Sequence, residues 1–244
     1  MIIEICANSY QSAKNAQIAG ANRIELCSEL AVGGITPSYG LIKQVLDNIS
    51  IPVHVLVRPR SGNFTYSKSE FEIMKKDIQL CKDLGCKGIV SGTLNPDQTI
   101  DIERTKQLVE LSKPLNFTFH RAFDWTPNPL KALDTLIDLG VNSVLTSGQE
   151  KSAKAGINLL KQLKTHANNK ITLLPGGGIH LKNAALFQKS GFKALHCSLT
   201  TFTTVNKTPN IAMNSSKHFS ETHIATSDIK KIQQLIKILK DTRS

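Results

Sequence analysis

The chain has 244 residues, 40% of them hydrophobic, enough for one large buried core. Its 30 Lys and Arg against 19 Asp and Glu give a formal charge of +11. The lysines are dispersed along helical patterns such as Lys154, Lys161 and Lys164, with no aromatic residues between them, which argues against a nucleic-acid groove. No apolar run approaches ~18 residues, so no membrane span is expected. Glu4 interrupts the first apolar run, so no secretory leader is expected either. Five cysteines without a C-x-x-C pair predict reduced thiols and a cytoplasmic protein.

In chain order, short β-like runs alternate with helical patterns. The predicted strands are 2–6, 23–27, 52–58, 88–91, 116–120, 143–146, 171–174 and 194–198. Between them, Thr36-Pro37 and Asn128-Pro129 each put a capping residue before a first-turn proline. Ser67 and Glu70 form a capping box ahead of a helix whose Phe71, Met74, Ile78 and Cys81 share one face, a core position for that thiol. Gly20, Gly85, Gly140 and Gly191 each stand shortly before an even-numbered strand, as a left-handed helix stop would. Eight βα units in a chain of this length predict a single-domain (β/α)₈ TIM barrel over residues 1–244. A doubly wound sheet would bring a glycine-rich first turn, and Cys6-Ala7-Asn8-Ser9 is none, so no nucleotide cofactor is indicated. Residues 199–226, with Pro209, Met213, His218 and His223, show no clear period and predict a long irregular loop or lid after the eighth strand. Residues 227–240 predict a final helix with Ile229, Ile232, Leu235, Ile236 and Leu239 on one face.

Side chains two apart on a strand share a face. That rule turns Phe117, Phe119, Val53, Val55 and Val57 outward and leaves Glu4, Cys6, Glu25, Cys27, His54, Arg58, Thr118, His120, His196 and Ser198 inside. A barrel interior is ordinarily branched and apolar, so this polarity points to a site at the strand C-terminal ends. Glu4 and His54 lie earlier along their strands and read as a buried structural network, while Cys197 faces the helices. Around the mouth, Glu25 and His120 form a candidate acid/base pair, with Asp124 placed to orient the imidazole. Gly177 and Gly178 with Ser198 form a candidate phosphate cradle, and Arg58 and Arg60 candidate anion forks.

The segments Glu25-Leu26-Cys27-Ser28, Gly33-Gly34-Ile35-Thr36-Pro37-Ser38, Val57-Arg58-Pro59-Arg60-Ser61-Gly62-Asn63-Phe64, Thr118-Phe119-His120-Arg121-Ala122-Phe123-Asp124 and Leu145-Thr146-Ser147-Gly148 resemble, in order, the CutC family of copper-homeostasis proteins. The resemblance runs over about the first 200 residues. It implies a cytoplasmic (β/α)₈ barrel, by analogy a homo-oligomer, that binds copper as Cu(I) through Cys6 and Cys27. Two functions therefore stand: a Cu(I)-binding protein, since a soft ion suits thiolates, or an enzyme acting by acid/base chemistry on a small anionic or phosphorylated metabolite.

Overall fold

In the computed structural model, which describes residues 1–204, 211 and 222–241, the apolar runs become parallel strands. They are β1 (Ile2–Ala7), β2 (Arg23–Leu26), β3 (Val53–Leu56), β4 (Gly88–Ser91), β5 (Asn116–Phe119), β6 (Ser143–Thr146), β7 (Thr172–Pro175) and β8 (Ala194–Cys197). Hydrogen-bonded order runs from β7 step by step down to β1 and on to β8. With β7 lying beside β8, the sheet curls into a nearly closed (β/α)₈ barrel.

The intervening helices are α1 (Tyr10–Ile18), α2 (Tyr39–Asn48), α3 (Lys68–Asp83), α4 (Ile102–Ser112), α5 (Pro129–Asp138), α6 (Ile157–Ala167), α7 (Ala184–Lys189) and α8 (Ile229–Asp241). The capping box on α3 forms as the residues dictate, and Asn128 caps α5 through its side chain. At α2 the cap is Ser38. Thr36 is occupied elsewhere, accepting a hydrogen bond from the backbone N–H of Arg58 and tying the loop after β2 to the end of β3. The four glycines before the even strands have φ between +76° and +87°, the left-handed turn that side chains avoid.

The alternation along the strands sorts the interior. Val53, Val55, Val57, Phe117, Phe119 and Cys197 join the core between sheet and helices, where Phe71, Met74, Ile78 and Cys81 of α3 meet them. Fully burying a large apolar side chain there contributes about 1.5–3 kcal/mol. Inside the barrel the apolar groups are small, one from Cys6, Cys27, Leu56 and Val90 and one from Leu145, Leu174 and Ala194. The remaining interior includes buried Glu4, Glu25, His54, Arg58, Thr118 and His120.

The late segment departs from the expected irregular loop. Thr200–Thr204 (β9) and His223–Ser227 (β10) pair antiparallel, with Phe202 opposite Ala225. The run Thr200-Thr201-Phe202-Thr203-Thr204 is β-branched and aromatic, which suits a pleated ribbon. The ribbon is anchored on α1, where Asn15 donates to the Ser227 carbonyl at 2.8 Å and the Ser227 N–H donates to Ser12 at 3.1 Å. Pro209, Met213 and His218 lie outside the described residues. α8 closes the chain with Ile232, Leu235 and Leu239 buried. Among the described residues, no helix is long and apolar enough to cross a membrane.

Candidate functional site

At the C-terminal ends of the strands the barrel opens into a cavity of about 640 Å³. That is the size of a small-molecule pocket, far more than a lone ion fills. Its walls include Cys6, Glu25, Cys27, Arg58, His120, Asp124, Gly177, Gly178, His196 and Ser198, so of the candidate residues read from the sequence only Arg60 lies off it.

One wall is set by strand register. Pairing places Cys6 beside Glu25 on β2, and Glu4 beside both Arg23 and His196. Cys27 follows directly after β2 and is tied back by its N–H to the Ala7 carbonyl. The result brings the Cys6 and Cys27 sulfurs to 3.6 Å. His196 Nδ1 lies 2.8 Å from Glu4 Oε1 and 3.3 Å from Glu25 Oε2. One ligand atom each from Cys6, Glu25 and His196 lie within 4.8 Å of one another.

The electrostatics of this wall follow from its burial. Burial by itself would raise the Glu4 carboxyl, but the hydrogen bond and charge of His196, with Arg23 and His54, hold it down at about 2. Glu25 lacks enough compensation: burial, with Glu4 adding its charge, pushes it up to about 7 against the pull of His196 and Arg23. Burial opposes a charge on His196, yet Glu25, Cys6 and Glu4 together hold its imidazole well above the usual range. The Cys6 thiol is raised well above its ordinary value by its hydrogen bond with Cys27, by burial and by the Glu25 charge. Near neutrality the group therefore holds an ionised Glu4, an imidazolium, a thiol and a Glu25 carboxyl that burial shifts toward its protonated form. Deeper in the barrel, burial lowers His54 to about 4 despite Glu4, 3.9 Å away.

The other wall differs from the sequence reading in three places. Arg58, 5% exposed, is committed to the protein itself: Nη1 donates to the carbonyls of Val32 and Gly34, and Nη2 to that of Gly62. Its guanidinium thereby pins the loops that follow β2 and β3. Arg60 turns away from the mouth to pair with Glu70 of the α3 capping box and to donate to the carbonyls of Ser61, Asn63 and Thr65. Asp124 does not reach His120. Its carboxylate accepts from Thr146, from the N–H groups of Ser147 and Gln149, from the Ser147 hydroxyl and from Arg121, and so holds the loop after β6. All three lie beyond the last strand residue, where period-two alternation no longer sets side-chain direction.

His120 caps the 3₁₀ turn Arg121–Trp125 by accepting the Ala122 N–H at its Nδ1, 3.3 Å away. Burial, with the Arg58 charge beside it, lowers the imidazole to about 3. His120 is thus a neutral hydrogen-bond donor at physiological pH, and the acid/base grouping of Glu25, His120 and Asp124 is not assembled. Two residues were given no role of their own by the sequence reading, Arg121 appearing there only within the motif that carries the family resemblance and Trp125 not at all. Arg121 reaches over Gly177, and Trp125 stacks edge-on against Phe64 at the rim, ring centroids 4.9 Å apart. Their positions depend on the 3₁₀ turn, which leaves no periodic trace.

Comparison with known proteins agrees with this architecture. The profile of the CutC family matches residues 1–201. The copper homeostasis protein cutC homolog of Mus musculus is 44% identical over 244 residues, covering 98% of this chain and 90% of that protein. The Homo sapiens homolog is 42% identical, covering 98% and 89%. Among solved structures, CutC from Streptococcus agalactiae superposes with a TM-score of 0.77 at 36% identity, covering 81% of this chain and 98% of that one. Thiamine phosphate pyrophosphorylase from Pyrococcus furiosus, with a TM-score of 0.60 and 13% identity over 100% of this chain and 97% of that one, shares the fold alone.

Proposed function

The chain belongs to the CutC family, and we propose that it serves copper homeostasis by holding Cu(I) as cargo at the mouth of the barrel, between Cys6 and Cys27 with His196 beside them. The observation that carries this reading is the 3.6 Å separation of the two buried sulfurs on neighbouring chain segments. A soft monovalent ion prefers low-coordinate thiolate ligation, and two sulfurs already in contact need little rearrangement to share one. His196 supports the same reading. Its Nδ1 is held by Glu4, which in turn is held by Arg23, so Nε2 is the nitrogen left for a ligand. A carboxylate behind a ligating imidazole fixes its tautomer and orientation. Glu25 is a harder oxygen donor, better suited to receiving protons that an incoming ion displaces from thiol and imidazolium. Reduced thiols and Cu(I) both belong to a reducing compartment, so we assign the protein to the cytoplasm.

The test is a Cu(I) titration against a competing chelator on wild type, Cys6→Ser and Cys27→Ser. Each substitution should weaken binding by more than the roughly 10–100-fold that loss of an outer-shell partner costs. Equal affinity in all three proteins would remove these thiols as ligands.

A further inference from the structure

The wall formed by the segments after β5 and β7 carries hydrogen-bond donors that nothing among the described residues uses. His120 accepts at Nδ1, so its proton sits on Nε2, and that buried N–H has no partner among the described residues. Buried donors without acceptors are rare and costly, which calls for an occupant. Arg121 gives Nε to Asp124 and Nη2 to the Ser147 hydroxyl, each at 2.8 Å. Its Nη1 has no acceptor among the described residues and lies 3.4 Å from where a Cβ on Gly177 would stand. The N–H groups of Gly177 and Gly178 likewise have no acceptor among the described residues. All four residues line the same cavity.

We infer that this wall is a subsite for a small oxyanion, a carboxylate or phosphate group carried by a small molecule. Guanidinium and backbone N–H groups are the donors that planar or tetrahedral oxyanions require. Gly177 and Gly178 bring no side chain of their own to this wall, and the Arg121 guanidinium packs against the first of them. The Asp124 carboxylate beside Arg121 does not oppose an anion strongly, because its oxygens are already saturated by Thr146, Ser147 and Gln149. Phe64 and Trp125 at the rim offer an apolar flank for the body of such a molecule. The formal charge of +11 draws anions toward the protein. The inference is independent of the metal reading, which rests on Cys6, Cys27 and His196 and uses none of these four residues.

Trp125 is the sole tryptophan of the chain and lines the cavity, so its fluorescence reports occupancy. Metal-free protein is titrated with inorganic phosphate and, separately, with succinate at constant ionic strength, with sodium chloride as the reference. Saturation by phosphate alone, by succinate alone or by both supports the subsite and names the group it takes. Arg121→Gln should weaken that binding roughly 10–100-fold, the loss of one charge-assisted hydrogen bond, while Cu(I) affinity stays at the wild-type value. Should that variant not fold, His120→Phe carries the same test by removing the Nε2 donor. No saturable response to either anion, or a response that the folded variant leaves unchanged, overturns the inference.

Discussion

Arg58→Lys separates the two roles that an arginine at this mouth can play. The wild-type guanidinium makes three bonds to loop carbonyls, at 2.9 Å to Val32, 2.8 Å to Gly34 and 2.8 Å to Gly62. It also lies over the Phe64 ring, 5.0 Å from the centroid. A lysine keeps the charge but presents a point donor that cannot span carbonyls from two loops at once. Each hydrogen bond to a charged group is worth about 1.5–3 kcal/mol. Losing one or two of the three therefore predicts a loss of about 3 kcal/mol of stability. For a chain of this size that is about 6–12 °C in Tm. The assay is urea and thermal unfolding followed by far-ultraviolet circular dichroism, paired with the phosphate and succinate titrations. Stability should fall while anion affinity at subsaturating denaturant stays within a few-fold of wild type. A variant as stable as wild type that no longer binds either anion would refute the reasoning and return Arg58 to the ligand.

Glu25 should titrate near 7, as an infrared carboxyl band that disappears on raising the pH through that value and is missing from Glu25→Gln. Because burial lifts its folded value above the ordinary 4.5, the stability its proton contributes is present below 4.5 and lost as pH rises through about 7. A carboxyl already ionised at pH 5 would contradict this. Glu4 behaves oppositely: its folded value of about 2 gives stability present above 4.5 and lost as pH falls toward 2. Glu4→Gln should flatten that acid limb in pH-dependent unfolding and lower Cu(I) affinity roughly 10–100-fold by freeing His196. Wild-type affinity in that variant would show that His196 is not a ligand.

How much of this was legible in the sequence depended on where a residue sat relative to a strand end. Within the strands, alternation correctly turned Cys6, Glu25, Thr118 and His196 inward and Phe117, Phe119 and Cys197 outward, because one face of every barrel strand must pack against helices. Glycine spacing and the Ser67–Glu70 box placed helix boundaries for equally local reasons. Just past the strands the rule lapses. Arg58 is two residues beyond the end of β3, and its long side chain finds carbonyls of two loops that no local pattern brings together. Asp124 sits in a 3₁₀ turn, and apart from Arg121 its partners lie 22 to 25 residues away. The threonine-rich ribbon was hidden differently. Its residues favour strand, but alternation with hydrophobic partners is weak because both of its faces are largely exposed.

The doubled Glu-x-Cys pattern of β1 and β2 shows why a repeat need not repeat its chemistry. Were the two copies in step, Glu4 would face Glu25 and Cys6 would face Cys27, setting carboxylate against carboxylate in a buried layer. The observed register slides β2 by two residues, so Glu4 meets Arg23 and Cys6 meets Glu25. The slide gives one carboxylate an arginine and a histidine, which keep it ionised, and leaves the other beside a thiol, where burial keeps it protonatable. It also carries Cys27 one layer higher, where it leans back over Ala7 to touch Cys6 at the floor of the cavity. Two copies of one motif thus supply four distinct parts: an anchor for His196, a proton acceptor and two sulfurs at different depths. The same slide leaves both sulfurs lining the cavity and Glu4 off it, so under the proposed copper reading an ion entering from solvent would meet the thiols before the carboxylate that compensates it.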